Sequence, residues 1–265
     1  MTDTTAGPLA GKLAVITGGS KGIGRAIARR LGQAGAKVVI GARGQAELEE
    51  ALAALTRDGI DARAVAVDLR SEDGPRRLIE ECLAFGGRVD VVVNNAGSAP
   101  STEFLNLTDE DFLASWELKL LGAIRMIRLA IPHMQAVGGG QIINIAGTGG
   151  REPGANQLAV GTTNAALRVV SKGISKGFGA DGIRSNVISP GRVDTDRYAT
   201  YKARKAVETG LSEDKIEASV LTETPTQRIT SPGEIAELAL LMASGLMPNL
   251  TGADVVVDGS ATNSM

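Results

Sequence analysis

The stretch Thr17-Gly18-Gly19-Ser20-Lys21-Gly22-Ile23-Gly24 decides the fold of this chain. An apolar run precedes it and an amphipathic helical pattern follows it. A strand, a glycine turn and a helix N-terminus in this order form an anion site, because the N–H groups of the turn and the positive end of the helix dipole converge. Gly18 permits the sharp turn, Gly22 lets a phosphate approach the backbone, and Gly24 lets the helix pack on the strand. The stretch therefore predicts a pyrophosphate site that also involves Ser20, Lys21 and Ile23.

Strand-like and helix-like patterns alternate along the rest of the chain. The expected strands are 12–17, 37–42, 61–67, 89–93, 141–146, 183–188 and 254–257. Two long helices are expected among the intervening segments, at 109–136 and 158–178. Because this alternation implies right-handed crossovers, we predict an α/β fold: a single domain over 1–265 with a doubly wound parallel sheet of about seven strands and helices on both faces.

Six short motifs resemble those of the short-chain dehydrogenase/reductase family. They occur in the family's order from about residue 10 to 260, and they are Thr17 to Gly24, Asp68-Leu69, Asn94 to Gly97, Ile142 to Ile145, Ser189 to Gly191 with Thr195, and Val257 to Gly259. The resemblance implies the Rossmann-type fold of that family and a nicotinamide dinucleotide cofactor. It also implies an oxidoreductase that transfers a hydride between this cofactor and a small carbonyl or alcohol.

The resemblance assigns further residues to the cofactor. Asp68 and Leu69 would contact the adenine. The residues expected to line the cofactor are Asn95, Ala96 and Gly97, and those expected to hold the nicotinamide end are Pro190, Gly191, Val193 and Thr195. An ordinary loop threonine is the alternative interpretation of Thr195.

The residues near the end of the second strand favour NADP(H) over NAD(H). In doubly wound folds a carboxylate at this position binds the free ribose hydroxyls, whereas a cation accepts a 2′-phosphate. The acid position holds Ala42, and Arg43 follows it, with Lys21 of the glycine turn as a second cation. Two cations and no acid fit a 2′-phosphate. The alternative is that both are solvated surface charges.

The reaction centre is where the chain departs from the family pattern. Members of the family use a serine, a tyrosine, a lysine four residues after the tyrosine, and a helix asparagine. The matching positions hold Gly147, Val160, Asn164 and Lys119. All four departures occur together, and no tyrosine lies between residues 144 and 171.

Lysine and asparagine have exchanged places in this pattern. A desolvated Lys119 beside the cofactor would have a lowered pKa and could act as the general acid, and Asn164 could still bind the nicotinamide ribose. Thr148 could supply a hydroxyl in place of the missing serine. The alternatives are that Lys119 only supports the helix pair or reaches solvent, and that Thr148 is a turn residue.

The segment 196–228 is polar, basic and weakly periodic, and we predict that it forms a substrate lid. A plain linker is the alternative. Tyr198 and Tyr201, the only two tyrosines, lie in this segment and could reach the site on closure.

Two other functions stay open at this point. The loss of the four reaction-centre residues would suit a dinucleotide-binding sensor or scaffold without turnover. The same pocket could also host non-redox chemistry such as elimination or hydration.

Composition limits the partners of the chain. It has 265 residues, a net charge of −2 and one cysteine, Cys82. These values predict a cytoplasmic protein with a small-molecule substrate, no nucleic-acid or membrane partner and no metal site. Cys82 lies in an amphipathic helical pattern and is expected in the core.

A homo-oligomer, either a dimer or a tetramer, is expected from the two long helices. Their apolar positions are Ile124, Ile127, Ala130, Leu167, Val170 and Ile174. They could form a symmetric interface, or they could pack on the sheet.

Overall fold

A computed structural model describes residues 7–97 and 101–263. It contains a parallel sheet of seven strands in the order β3-β2-β1-β4-β5-β6-β7. The strands are β1 (Leu13–Thr17), β2 (Lys37–Ala42), β3 (Ala62–Ala66), β4 (Val91–Asn94), β5 (Gly140–Ile145), β6 (Ile183–Pro190) and β7 (Asp254–Val257). The order reverses between β1 and β4, which opens a crevice at their carboxyl ends. The predicted doubly wound sheet is confirmed.

Helices cover both faces of this sheet. They are α1 (Gly22–Gln33), α2 (Gln45–Arg57), α3 (Asp73–Gly86), α4 (Asp109–Ser115), α5 (Gly122–Ala136), α6 (Leu158–Gly177), α7 (Asp196–Thr209), α8 (Glu213–Thr222) and α9 (Pro232–Ala243). Alternate residues of each strand point to opposite faces, so the chain has two apolar cores. Ala14 and Ile16 of β1 pack with α1, α2 and α9, whereas Leu13 and Val15 pack with α3 and α5.

The predicted single helix over 109–136 is wrong in one respect. A π-helical turn, Trp116–Leu121, separates α4 from α5. Thr108 caps α4 through a reciprocal pair with Asp111, as the sequence indicates. A π turn shifts the direction of the side chains that follow it, and such turns are frequent at functional sites. Lys119 lies inside this turn.

The segment 196–228 is more regular than its weak periodicity indicates, because α7 and α8 occupy most of it. Ser212 caps α8 by accepting a hydrogen bond from the backbone of Lys215. The two helices pack on each other, and residues of α7 border the central cavity described below.

Most of the apolar positions expected at an oligomer interface belong to the core of the chain itself. Ile127, Ala130 and Leu167 are buried. Val170 and Ile174 are partly buried and pack on the same core as α3 and α5. These positions therefore follow the second alternative, in which they pack within the fold of the chain itself.

Cys82 is fully buried in this second core, and burial raises the pKa of its thiol to about 12. A thiol with this pKa is not nucleophilic at neutral pH. Within residues 7–97 and 101–263, no helix is long and apolar enough to cross a membrane.

Candidate active site

The glycine turn lies at the crevice between β1 and β4. The backbone N–H of Gly18 donates to the Gly41 carbonyl at 2.7 Å, which fixes the turn to β2. A side chain at Gly24 would overlap the Gly18 carbonyl and the Asn95 amide, so only glycine lets α1 start this close to β1. Gly18 and Gly22 both have a positive φ.

The N-terminus of α1 is free to bind an anion. No side chain caps it, and its first turn contains no acidic residue. By contrast, Thr108 and Ser231 cap α4 and α9. Uncapped N–H groups at the positive end of a helix dipole suit a diphosphate. The residues present therefore fit a dinucleotide.

Asn95 fixes the strand end next to this turn. Its side-chain amide donates to the carbonyls of Thr17 and Gly18, both at 3.0 Å. The Thr17 hydroxyl accepts in turn from the backbone of Asn95 and Ala96, at 3.0 and 3.1 Å. Asn95 therefore ties the glycine turn to β4, and Asn95 and Gly97 both border the central cavity.

The residues expected near the ribose 2′-phosphate and those expected near the adenine have different environments. Arg43 is exposed and pairs with no described residue, whereas the Lys21 ammonium lies 3.2 Å from Glu47. Leu69 is buried. Asp68 is held by Arg70, at 2.6 Å between Oδ2 and the guanidinium, and this hydrogen bond lowers the pKa of Asp68. No sequence motif marks Arg70 as a partner of this carboxylate.

A cavity of about 600 Å³ continues the crevice toward α6 and α7. It brings together four of the positions singled out at the reaction centre, namely Lys119, Gly147, Val160 and Asn164. The residues assigned to the nicotinamide end, Pro190, Gly191, Val193 and Thr195, border the same cavity. Ile23 of α1 borders it too, so the cavity joins the glycine turn to the reaction centre.

Lys119 is buried, with 7% of its surface exposed, and its ammonium borders this cavity. The Nζ atom donates to the backbone carbonyl of Ala146 at 2.8 Å and to Oδ1 of Asn164 at 2.5 Å. These two bonds leave one of its three ammonium protons without an acceptor among the described residues. A side chain at Gly97 would press on the Lys119 stem, so this glycine provides space for the lysine.

Burial, together with the smaller effect of the positive charge of Arg197, lowers the pKa of Lys119 from its usual 10.5 to about 7. Desolvation disfavours the charged form of an amine, and a second cation adds to this effect. A proton donor with a pKa near the working pH is well suited to general acid catalysis.

Gly147 follows the end of β5 with φ 143° and ψ 151°. This region of backbone conformation is essentially restricted to glycine. A Cβ atom here would lie 3.0 Å from the Asn164 amide nitrogen. The backbone at this position is therefore incompatible with a serine.

Thr148, next to Gly147, borders the cavity, and its hydroxyl bonds to no described residue. Asn164 is buried on α6 and presents its Oδ1 atom to Lys119. Val160, one turn earlier on the same helix, contributes only an apolar surface.

Residues at the start of helix α7 also line the cavity. Thr195 precedes this helix, and its hydroxyl donates to the Val193 carbonyl at 3.3 Å. Tyr198 and Tyr201 border the cavity and stack with 6.1 Å between ring centroids. The Tyr198 hydroxyl is buried and has no hydrogen-bond partner among the described residues.

Arg197 borders the cavity between these groups. No sequence motif marks Arg197, although it lies two residues after Thr195, at the start of α7.

Comparison with known proteins agrees with this architecture. The sequence model of the enoyl-(acyl carrier protein) reductase family matches residues 18–262. Tropinone reductase-like 3 of Erythroxylum coca is 33% identical over 96% of this chain and 95% of its own length. NADPH-dependent reductase BacG of Bacillus subtilis is 31% identical over 96% and 99%. Among solved structures, L-sorbose reductase from Gluconobacter frateurii, complexed with NADPH and L-sorbose, has a TM-score of 0.92 and 32% identity over 97% of this chain and 98% of that chain.

The match of fold, motifs and family model places the chain in a known class of enzyme. It belongs to the short-chain dehydrogenase/reductase family. It is an NAD(P)-dependent oxidoreductase of that type.

Proposed function

We propose that this protein is an NADP(H)-dependent reductase of a small carbonyl compound, with Lys119 as the proton donor. The observation that carries the proposal is the position of the Lys119 ammonium. It borders the cavity at the end of β5 while Ala146 and Asn164 hold it in place. No other described lysine borders this cavity.

Several features support a dinucleotide at this site. The α1 N-terminus is uncapped, and the cavity joins it to the residues at the end of β6. Arg43 is exposed and unpaired among the described residues, so it is available to a 2′-phosphate, whereas Lys21 already interacts with Glu47. We therefore assign the preference for NADP(H) mainly to Arg43.

The bound nicotinamide cofactor would supply the hydride to the carbonyl carbon. The Nζ–H group of Lys119 then donates its proton to the carbonyl oxygen, which yields an alcohol and a neutral lysine. The Lys119 amine regains a proton from water. Asn164 and the Ala146 carbonyl keep the amine directed at the same point through this cycle. The Thr148 hydroxyl, on a residue that borders the same cavity, would donate to the same oxygen or orient the substrate.

The experiment is a nicotinamide-oxidation assay against aldehydes, ketones and imines, with the native protein and its Lys119→Met variant. We expect the variant to lose a factor of roughly 10² to 10⁴ in kcat, as for the loss of a general acid. Fluorescence titration of NADPH should give the same affinity for both proteins. Lys176→Met on α6 is the control, because Lys176 is exposed and remote from the cavity.

Two results would contradict the proposal. Equal turnover by the native protein and Lys119→Met would show that Lys119 has only a structural role. Tight NADPH binding with no turnover on the whole panel would favour a dinucleotide-binding sensor.

A further inference from the structure

The cavity contains a second cation that the proposed hydride transfer does not use. Arg197 is the second residue of α7 and is one of the residues that line the cavity. It is exposed, and it forms neither an ion pair nor a hydrogen bond with any residue of 7–97 or 101–263. Partial desolvation lowers the pKa of its guanidinium, so the protein surrounds this charge without neutralising it.

The other arginines that border the cavity are already neutralised. Arg228 forms a bidentate pair with Glu234 at 2.6 and 2.7 Å. Arg192 lies 4.0 Å from Glu223, and its guanidinium is 5.4 Å from the centroid of the Tyr201 ring. Arg197 therefore differs from both of them in lacking a described partner.

The acids around the cavity are also engaged. Glu152 accepts from the backbone N–H of Asn263 at 2.7 Å. Asp258 accepts from the backbone of Ser260 and Thr262, at 2.8 and 3.0 Å. No acid among the described residues that border the cavity is placed to neutralise Arg197.

Lys119 and Arg197 line the same cavity, and the charge of Arg197 lowers the pKa of the lysine. Two like charges that face one desolvated space destabilise each other, and an anion between them would remove this cost. The planar fork of an arginine binds a carboxylate through two parallel hydrogen bonds. Lys119, as the proton donor, would instead contact the carbonyl oxygen that is reduced.

We propose that the substrate is a carbonyl compound that also carries a carboxylate, and that Arg197 binds this carboxylate. This inference rests on the proposed reductase function, since it names the substrate class of that same site. With the carboxylate on α7 and the carbonyl oxygen at Lys119, the substrate would bridge the two walls of the cavity. The two contacts would thereby orient the carbonyl.

The test is a binding measurement that needs no turnover. The protein is saturated with NADP⁺, and isothermal titration calorimetry measures the Kd of pyruvate, levulinate and phenylglyoxylate and of their methyl esters. We expect at least one acid to bind more tightly than its ester by roughly 10- to 100-fold, as a charge-assisted hydrogen bond provides. Arg197→Met should abolish this advantage, and Arg197→Lys should keep part of it.

The control variant is Arg192→Met, which removes a cation of the same cavity that already has partners. It should preserve the preference for the acid. If no acid binds better than its ester, or if the preference persists in Arg197→Met, the proposal is wrong.

The alternative ligand for Arg197 is the diphosphate of the cofactor, in place of a substrate carboxylate. In that case Arg197→Met would weaken NADP⁺ itself by about tenfold or more, and this result would also overturn the proposal. If the proposed reductase function is wrong but Arg197 does bind a carboxylate, the acids will bind as expected and NADPH will not be oxidised. Failure of the reductase proposal is therefore distinguishable from failure of the carboxylate proposal.

Discussion

Lys119 and Asn164 are joined across the cavity floor by a hydrogen bond of 2.5 Å between Nζ and Oδ1. They come from different helical segments, 45 residues apart in the chain. The family pattern has asparagine and lysine in the opposite order at these two positions. The exchange therefore leaves an amine and an amide paired, but moves the amine to the wall formed by the π turn.

This pairing makes the pH dependence of the reaction depend on Asn164. Reduction requires the protonated form of Lys119, so the rate should fall as the pH rises through about 7. In Asn164→Asp a carboxylate replaces the amide beside Nζ and raises the pKa of Lys119, because it favours the charged amine. The descending limb of the pH–kcat profile should then move to higher pH. In Asn164→Ala, which adds no charge, no alkaline shift is expected, and identical profiles for the two variants would exclude Lys119 as the titrating acid.

The buried lysine should also influence stability. Its pKa is about 7 in the folded protein but 10.5 when unfolded, so between these values only the unfolded state binds the proton. Because the unfolded state binds more protons, the free energy of unfolding should rise with pH in this window, by up to about 1.4 kcal/mol per pH unit. Below about pH 7 both states are protonated and this slope disappears.

The slope is measurable by urea denaturation of the cofactor-free protein from pH 7.5 to 9.5. The native protein should gain stability with pH relative to Lys119→Met. Lys176→Met, at an exposed site on α6, should follow the native curve. A native curve parallel to that of Lys119→Met would show that Lys119 stays charged in the fold.

Restoring the missing hydroxyl of the family pattern should fail. Gly147→Ser places a Cβ atom on a backbone with φ 143° and within 3.0 Å of the Asn164 amide. Such a conformation costs a non-glycine residue about 1–3 kcal/mol. We expect a loss of stability of this size in urea denaturation, without a gain in kcat. Gly149→Ser is the matched control, since Gly149 has no positive φ and its nearest neighbours lie 3.8 Å or more from an added Cβ.

The fold could be predicted because each of its signals is local. The pattern of apolar residues predicts a strand over 37–42, and these are the bounds of β2 in the structure. The capping box at Ser231, which begins α9, is a local signal of the same kind. The π turn was not predicted, because its sequence carries the same helical pattern as α4 and α5.

The site could be predicted only in part for a similar reason. Position-by-position resemblance indicated that Lys119 and Asn164 belong to one cleft. The orientation of the lysine depends on the Ala146 carbonyl and on the space above Gly97, and neither is encoded in a local motif. Arg197 was overlooked because its importance lies in having no described partner, a property that only tertiary structure reveals.

Cofactor preference should depend on Arg43. Replacement by Met should weaken NADPH binding by roughly tenfold while NADH binding stays unchanged, since only NADPH has the 2′-phosphate for a charge-assisted contact. Lys21→Met should have a smaller effect, because Lys21 already interacts with Glu47. Fluorescence titration of both nucleotides provides the test. Arg57→Met at the end of α2 is the control, and equal losses for NADPH and NADH in Arg43→Met would contradict the assignment.

Assembly should involve the outer face of α4 and α6 instead of the buried positions expected from the sequence. The indole N–H of Trp116 donates to the Thr162 hydroxyl at 3.0 Å and joins the two segments. Leu113 and Val169 stand exposed beside them, at 52% and 74%. We expect the protein to form a homo-oligomer through this face, because a patch of exposed apolar side chains favours association with a second copy. Light scattering should show that Val169→Asp lowers the mass, whereas Val207→Asp, with 86% exposure on α7, leaves it unchanged. A native protein that is already monomeric would refute this prediction.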